Sequence, residues 1–295
     1  MEVRQRADPG YGATVTSGQD LTIAERLRLA QAACHEVARA AGVDLLFVKG
    51  TVAADQFPTR SKVGSDVDAL VRPEQVERYV EALQRAGWVL MRRSSGLDLS
   101  NHAIVLEHPV FACTVDVHRF FPGFEAPPEV VFERLWAHRG QVTSAGHDVP
   151  VPSVVHHGLL LIVNAARSAG SSEARTIWNA WGSAEHEQAK VAVDLLGAQA
   201  AAATQLPDVF GASDSRYWQV VADNPTGVSM WLARLADTRG LAPRLRLVGH
   251  ALVPPPRWGE QDRCLGRLLR VPGHWAKGAR QLPAAVRRLR SMRGR

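Results

Sequence analysis

Two aspartates, Asp66 and Asp68, stand two residues apart in a short apolar segment that ends just before Pro73. Successive side chains of a β-strand point to opposite faces, so a strand over residues 66–71 predicts both carboxylates on one face. Two carboxylates side by side raise each other's pKa unless a cation lies between them. The natural partner is a hard divalent cation with oxygen ligands, Mg²⁺ first. For an Asp-x-Asp pair taken alone, a solvated edge or turn pair is the alternative.

A third carboxylate follows in a second strand-like segment, residues 112–121. Strand alternation predicts Thr114, Asp116 and His118 on one face. A carboxylate flanked by valines in a central strand is costly unless it is paired or binds a metal. If this strand lies beside strand 66–71, three acidic groups share one face. His118 is then either an accessory group of that site or a structural histidine.

The segment before the aspartates predicts a helix, a strand and a turn. Residues 22–25 have the capping-box spacing that opens a helix, and Gly42 ends its periodic pattern. The apolar run 43–48 predicts a buried strand. It leads into Lys49-Gly50-Thr51 and a short helix, an arrangement that favours an anion because backbone N–H groups, the helix dipole and Lys49 converge there.

The segments that follow predict an α+β fold. A helix starting at Pro73 completes a strand–helix crossover, and strands are expected near residues 88–91 and 102–107. Residues 123–150 are predicted to be irregular, apart from a short helix over 129–136. From Pro152 the pattern is helical throughout. We therefore expect a mobile tail over 1–19, a mixed sheet flanked by helices over 20–148 and an all-α domain over 149–295.

Charge and cysteine content limit the possible partners. Residues 239–295 hold fourteen Arg and Lys against Glu260 and Asp262, a net charge of +12 in a chain whose total is +6. This segment is either a solvated helical surface or a site for nucleic acid, an anionic membrane surface or an acidic partner. Three scattered cysteines form no disulfide framework. With no signal peptide or membrane span in the sequence, a cytoplasmic protein is expected.

Together, these motifs resemble those of the uncharacterised nucleotidyltransferase family, in the DNA-polymerase-β-like nucleotidyltransferase superfamily. The resemblance rests on Phe47-Val48-Lys49-Gly50, Arg60, Ser65-Asp66-Val67-Asp68-Ala69-Leu70-Val71 and Asp116-Val117-His118. The superfamily pattern has a glycine turn after a first strand, Asp-x-Asp or Asp-x-Glu on the next strand, and a later third carboxylate. The resemblance spans most of residues 20–260 and is strongest over 43–121.

The resemblance implies a set of site residues. Asp66, Asp68 and Asp116 would be catalytic and would hold two Mg²⁺ ions, with Mn²⁺ as a possible substitute. The residues implied in nucleoside triphosphate (NTP) binding are Lys49, Gly50, Thr51, Arg60 and Ser65. Thr51 stands where the family usually has Ser and keeps the hydroxyl. His118 and His102 are candidate accessory residues. The adjacent His156 and His157 lie on a predicted helix and are not expected to share a metal.

The implied activity is a metal-dependent transfer of a nucleoside monophosphate (NMP) from an NTP to an acceptor. The acceptor would be a hydroxyl, or a similar group, of a small molecule, peptide or protein. One alternative is transfer to an RNA or tRNA end with help from the basic segment 239–295, which we rank lower. Another is a non-catalytic nucleotide-binding accessory protein. The resemblance leaves the acceptor, the preferred base and the oligomeric state open.

Overall fold

The computed structural model describes residues 21–59, 64–91, 103–167, 172–222, 227–252 and 280–287. The expected tail over 1–19, Arg60, His102 and most of the basic segment lie outside these residues. The strands are β1 (Leu45–Val48), β2 (Asp66–Val71), β3 (Val89–Leu90), β4 (Ala103–His108), β5 (Cys113–His118), β6 (Gly140–Ser144) and β7 (His147–Val151). The helices of the N-terminal half are α1 (Ile23–Ala41), α2 (Gly50–Gln56), α3 (Val76–Arg85) and α4 (Pro128–Ala137).

The later helices begin three residues after the end of β7. They are α5 (Val154–Ala165), α6 (Glu173–Ala180), α7 (Ser183–Leu196), α8 (Gln199–Gln205), α9 (Pro207–Phe210), α10 (Arg216–Ala222), α11 (Gly227–Asp237) and α12 (Leu241–Leu252), and residues 280–287 are also helical. None of the helices in the described ranges has the length and apolarity needed to span a membrane.

Helix α1 forms as its sequence predicts. The Thr22 hydroxyl accepts the backbone N–H of Glu25, and the Glu25 carboxylate accepts the Thr22 N–H at 2.8 Å. This capping box satisfies two N–H groups that a helix start leaves without partners. The helix ends at Gly42 in the left-handed conformation, so both of its predicted ends are confirmed.

The main sheet has five strands in the order β1-β2-β5-β4-β3. Strands β2 and β5 are parallel, and every other neighbouring pair is antiparallel. A parallel pair needs a crossover connection, which runs here through α3, β3 and β4. In this register Asp68 lies opposite Asp116 and Asp66 lies opposite Thr114. The mixed sheet with flanking helices is confirmed, and the strand within residues 112–121 lies beside strand 66–71, the arrangement in which the acidic groups share one face.

The two faces of the sheet are buried against different helices. One face contributes Val67, Ala69, Val115 and other apolar side chains to a core shared with α1 and α3. The opposite face contributes Leu46, Val48 and Leu70 to a core built mainly from α4 to α8. By alternation, Asp66, Asp68, Asp116 and His118 lie on this second face. The acidic residues are therefore on the side of the sheet that meets the C-terminal helices.

The prediction of irregular structure over 123–150 is wrong for its last third, while the short helix within it is confirmed as α4. Strands β6 and β7 form an antiparallel hairpin with Ser144 opposite His147. Its two turn residues, Ala145 and Gly146, have φ angles of 47° and 81°. Two-residue hairpin turns of this kind usually carry Asn-Gly or Asp-Gly. The Ala-Gly sequence gives a weaker signal, and Pro150 argues against a strand.

Candidate active site

The parallel pairing of β2 and β5 brings together three groups able to bind a metal. Ligand atoms of Asp68, Asp116 and His118 all lie within 4.8 Å of one another. Asp66 lies on the same face one pleat earlier along β2, opposite Thr114. Both members of the Asp-x-Asp pair thus share a face with Asp116, as the alternation predicts.

Asp68 lies deepest in this cluster and is held in its charged form. Only 3% of its side chain is exposed, and its Oδ1 atom accepts Lys49 Nζ at 2.6 Å and lies 2.8 Å from His118 Nε2. Burial alone would raise the pKa of Asp68, but the hydrogen bond with His118 and the charge of Lys49 outweigh it, so the pKa is lowered. Asp68 is therefore a carboxylate at neutral pH.

Asp66 has the opposite electrostatic setting. Its pKa is raised, first by burial and then by the negative charge of Asp68, and Lys49 offsets this only in part. Two neighbouring carboxylates with opposite pKa shifts are typical of functional sites. The pair therefore carries negative charge that a further cation would stabilise.

The chemistry of this donor set fits a divalent cation. Two carboxylates provide the hard oxygen ligands that Mg²⁺ and Mn²⁺ favour, and an imidazole is acceptable to Mn²⁺. Among the described residues, Asp68 and Asp116 offer oxygen donors for such an ion, with His118 beside Asp68, and Asp66 lies next along the same face of β2. The accessory position expected for His118 is thus adjacent to the carboxylates.

The turn between β1 and α2 borders the cluster and has an unusual backbone. Lys49 has φ 58° and ψ −154°, a region almost reserved for glycine, and Gly50 has φ 50°. A Cβ added to Gly64 would lie 3.3 Å from the Gly50 Cα, so this turn closely approaches the chain that leads into β2. Ser65, the next residue, is exposed at the start of β2.

Thr51 lies in this turn, but its hydroxyl points into the protein. Its Oγ1 donates to Gln31 Oε1 at 2.8 Å, and the Ser144 hydroxyl donates to the same oxygen at 2.9 Å. All three side chains are buried. A contact between Thr51 and a triphosphate would therefore use its backbone N–H, which lies in the first turn of α2.

Two residues contact this turn in a way that the sequence does not predict, Gln31 and His157. Both are buried polar side chains, and Lys49 donates its backbone N–H to His157 Nε2 at 2.9 Å. The adjacent His156 faces elsewhere, with its Nδ1 2.8 Å from the Ser153 hydroxyl. The only sequence signal was a polar residue on an apolar face of each helix, and such residues are usually structural.

Two solved structures resemble the chain at low identity. The solution structure of the antibiotic-resistance factor ANT(2'')-Ia matches with 12% identity and a TM-score of 0.41, covering 59% of this chain and 93% of its own. An antigenic nucleotidyltransferase-like protein from Paracoccidioides brasiliensis matches with 12% identity and a TM-score of 0.40, covering 64% and 94%. No curated protein matches the chain.

A family profile gives the firmer assignment. The profile described as "Uncharacterised nucleotidyltransferase" matches residues 19–202, more than half of the 295 residues. The matched range contains all seven strands of the described residues and the acidic cluster. On this basis the chain belongs to the uncharacterised nucleotidyltransferase family.

Proposed function

We propose that this protein transfers an NMP from an NTP to a hydroxyl, or a similar group, on a small molecule, peptide or protein. One observation carries the proposal: Asp68 and Asp116 lie opposite each other on parallel strands, with Asp66 on the same face. Nucleotidyl transfer needs concentrated negative charge of this kind next to a phosphate-binding turn, because the polyphosphate must be held through cations. Membership of a nucleotidyltransferase family supports the same reading.

In the proposed reaction the acceptor oxygen attacks the α-phosphorus of the NTP. The bond between that phosphorus and the bridging oxygen to the β-phosphate breaks, and pyrophosphate leaves. Asp116 takes the proton of the acceptor hydroxyl. Divalent cations bound by Asp66, Asp68 and Asp116, Mg²⁺ first, would neutralise charge on the attacking and leaving oxygens.

The remaining residues bind and orient the nucleotide. Lys49 supplies a cation that can move from Asp68 to a phosphate oxygen, a type of contact typical of lysine. Gly50 and Thr51 offer backbone N–H groups at the start of α2. Ser65 and Arg60 are proposed to contact the triphosphate from the segment that leads into β2. His118, hydrogen-bonded to Asp68, would keep that carboxylate oriented.

The experiment has a binding arm and a chemical arm. Titration calorimetry of the full chain with each of the four NTPs, with and without Mg²⁺, should show metal-dependent binding of at least one of them. Mass spectrometry of a metabolite and peptide pool incubated with that NTP should then find an added NMP mass.

Matched variants make this test specific. We expect Asp68→Asn and Asp116→Asn to reduce product formation by about a hundredfold or more, as for the loss of a group that stabilises transition-state charge. Asp194→Asn, at an exposed position on α7, should behave like the wild type. Equal NTP and Mg²⁺ binding by wild type and Asp68→Asn would overturn the proposal. Metal-dependent binding without any transfer product would favour the accessory-protein alternative.

A further inference from the structure

The backbone of Lys49 adopts a conformation that residues other than glycine rarely adopt. Its φ of 58° with ψ of −154° is rare for a residue with a side chain and persists only where neighbouring groups enforce it. This conformation orients the residue whose ammonium reaches Asp68. Whatever enforces it therefore determines where that ammonium lies.

One group that holds this backbone is an imidazole from the C-terminal helices. His157, on α5, is fully buried and accepts the backbone N–H of Lys49 on Nε2 at 2.9 Å, across a separation of 108 residues. Because Nε2 accepts this bond, the ring proton of the neutral imidazole is on Nδ1. That atom lies 2.6 Å from Gln56 Oε1, so Nδ1 donates to Gln56.

The Gln56 amide is itself fixed, which sets the direction of the whole chain of hydrogen bonds. Its Nε2 donates to the carbonyl oxygen of Pro152 at 3.1 Å, which leaves Oε1 facing His157. Pro152 lies immediately before Ser153, the N-cap of α5. The ring carried by α5 thus contacts both ends of α2, its N-cap Lys49 and its last residue Gln56, and each hydrogen bond determines the next.

The rest of the turn has a separate support. Thr51 is held by Gln31 on α1, through side-chain groups that do not involve His157. Loss of the imidazole would therefore release the backbone at Lys49 while the neighbouring Thr51 stays anchored. Such a local release would not disturb the carboxylates on β2 and β5, which the strand register fixes.

We infer that His157 is a positioning residue for the proposed nucleotidyl transfer: it holds the Lys49 backbone so that the ammonium meets the polyphosphate beside the acidic cluster. It acts through Lys49, and Gln56 fixes the tautomer that this role requires. The inference rests on the proposed function. A histidine that merely fills the core would affect stability alone, whereas a positioning histidine affects nucleotide binding separately from metal binding.

The test uses two substitutions of the same residue and a neighbouring control. His157→Phe keeps a ring beside Phe57, whose ring contacts His157 edge-on, but removes the acceptor. His157→Gln restores an acceptor oxygen near the position of Nε2. His156→Gln changes the adjacent residue on α5, which faces Ser153 instead. Each full-length protein is titrated with Mg²⁺ and the NTP that the wild type binds, and separately with Mn²⁺ alone, followed by electron paramagnetic resonance.

We expect His157→Phe to weaken NTP binding by about ten- to a hundredfold, the scale of a misplaced binding group. Its Mn²⁺ affinity without nucleotide should not fall, because the carboxylates are untouched, and it should rise by up to about tenfold as the released ammonium leaves Asp68. His157→Gln should recover most of the NTP affinity, and His156→Gln should match the wild type. Unchanged NTP affinity in His157→Phe would overturn the inference, and so would NTP and Mn²⁺ affinities that fall together with the melting temperature.

Two further measurements keep the result unambiguous. If His157→Phe does not fold, Gln56→Met tests the same relay from its other end and should weaken NTP binding without weakening Mn²⁺ binding. Nitrogen-15 spectra of the wild-type histidines should show His157 neutral with its proton on Nδ1, and the reverse tautomer would overturn the inference with no reference to activity. A wild type that binds no NTP would overturn the proposed function itself, and the positioning role would fall with it.

Discussion

The ammonium of Lys49 lies 2.6 Å from the Oδ1 atom of Asp68, among the carboxylates proposed to bind metal. A cation of the protein itself therefore occupies part of the position that a divalent cation would take. Lys49 Nζ also lies 5.6 Å from the centre of the Phe121 ring, a favourable place for a cation. In this arrangement Lys49 stabilises the charge of Asp68, and we expect it to compete with a metal ion for that carboxylate.

Substitution of Lys49 should have opposite effects on the two ligands. In Lys49→Met the cluster loses its nearest positive charge, so we expect Mn²⁺ to bind about three- to tenfold more tightly without nucleotide. NTP binding should weaken by about tenfold or more, since a charge-assisted phosphate contact is lost. Paramagnetic resonance measures the first effect and calorimetry the second. Weaker Mn²⁺ binding by Lys49→Met would contradict the competition.

The two aspartates of the Asp-x-Asp pair should differ in their effect on stability although both are needed for activity. Asp68→Asn leaves Lys49 and His118 without their shared anion, and we expect a loss of about 2–4 kcal/mol in the free energy of unfolding. Asp66→Asn removes a carboxylate whose pKa is raised by burial and by the negative charge of Asp68. This substitution should raise the free energy of unfolding by about 0.5 kcal/mol, a value reduced to allow for the partial solvent exposure of Asp66. Chemical denaturation measures both, and equal losses would contradict the assigned charge states.

Acid should destabilise the protein through His156. Its pKa is lowered to about 4, first by burial and then by the positive charges of His138 and Arg134. In the unfolded protein the His156 imidazole is protonated near the ordinary pKa of histidine, whereas in the folded protein it is protonated only near pH 4. Between these two pH values the unfolded state therefore binds more protons. The stability contributed by neutral His156 is thus present above about pH 6.5 and is lost as the pH falls toward 4.

The measurement that checks this is the free energy of unfolding at pH 7.5 and at pH 5, for the wild type and for His156→Gln. The decrease between these conditions should be about 1 kcal/mol smaller in the variant, after allowance for partial exposure of the ring. An identical decrease in both proteins would show that other groups carry the acid sensitivity. Aspartates and glutamates titrate in both proteins and cancel in the comparison.

The hairpin turn offers a stabilising substitution away from the proposed site. Ala145 has φ 47°, which Asn tolerates better than Ala, and Asn-Gly is the preferred sequence for a two-residue hairpin turn. Ala145→Asn should raise the free energy of unfolding by about 0.5–1 kcal/mol, and Gly146→Ala should lower it by a similar amount. Thermal unfolding of the two variants measures both changes in stability. NTP binding should be unchanged in Ala145→Asn.

Local patterns predicted those parts of the site that depend on strand alternation. Strand β2 has its predicted bounds because Pro73 ends the apolar run, and alternation alone placed Asp66 and Asp68 on one face. The same rule applied to β5 aligned Asp116 with them once the two strands paired. These features follow from a two-residue period, which a sequence displays directly.

Contacts between distant parts of the chain could not be predicted in this way. The bond between His157 and Lys49 spans 108 residues, and the bond between Ser144 and Gln31 spans 113. Each depends on how whole elements pack, and a buried Gln or His on a helix gives no local sign of its partner. For the same reason the inward direction of the Thr51 hydroxyl was not foreseen, although its position in the turn was.

The sheet face that carries the acids has a practical consequence for dividing the chain. Leu46, Val48 and Leu70 line that face and are buried in a core to which the helices beyond residue 150 contribute many of the side chains. A shortened protein ending near residue 148 would lose the part of this core that α5 to α8 supply, and it would also cut β7 in mid-strand. Such a fragment should aggregate rather than fold, so the half with the sheet and the helical half are expected to be expressed and purified only as a single piece.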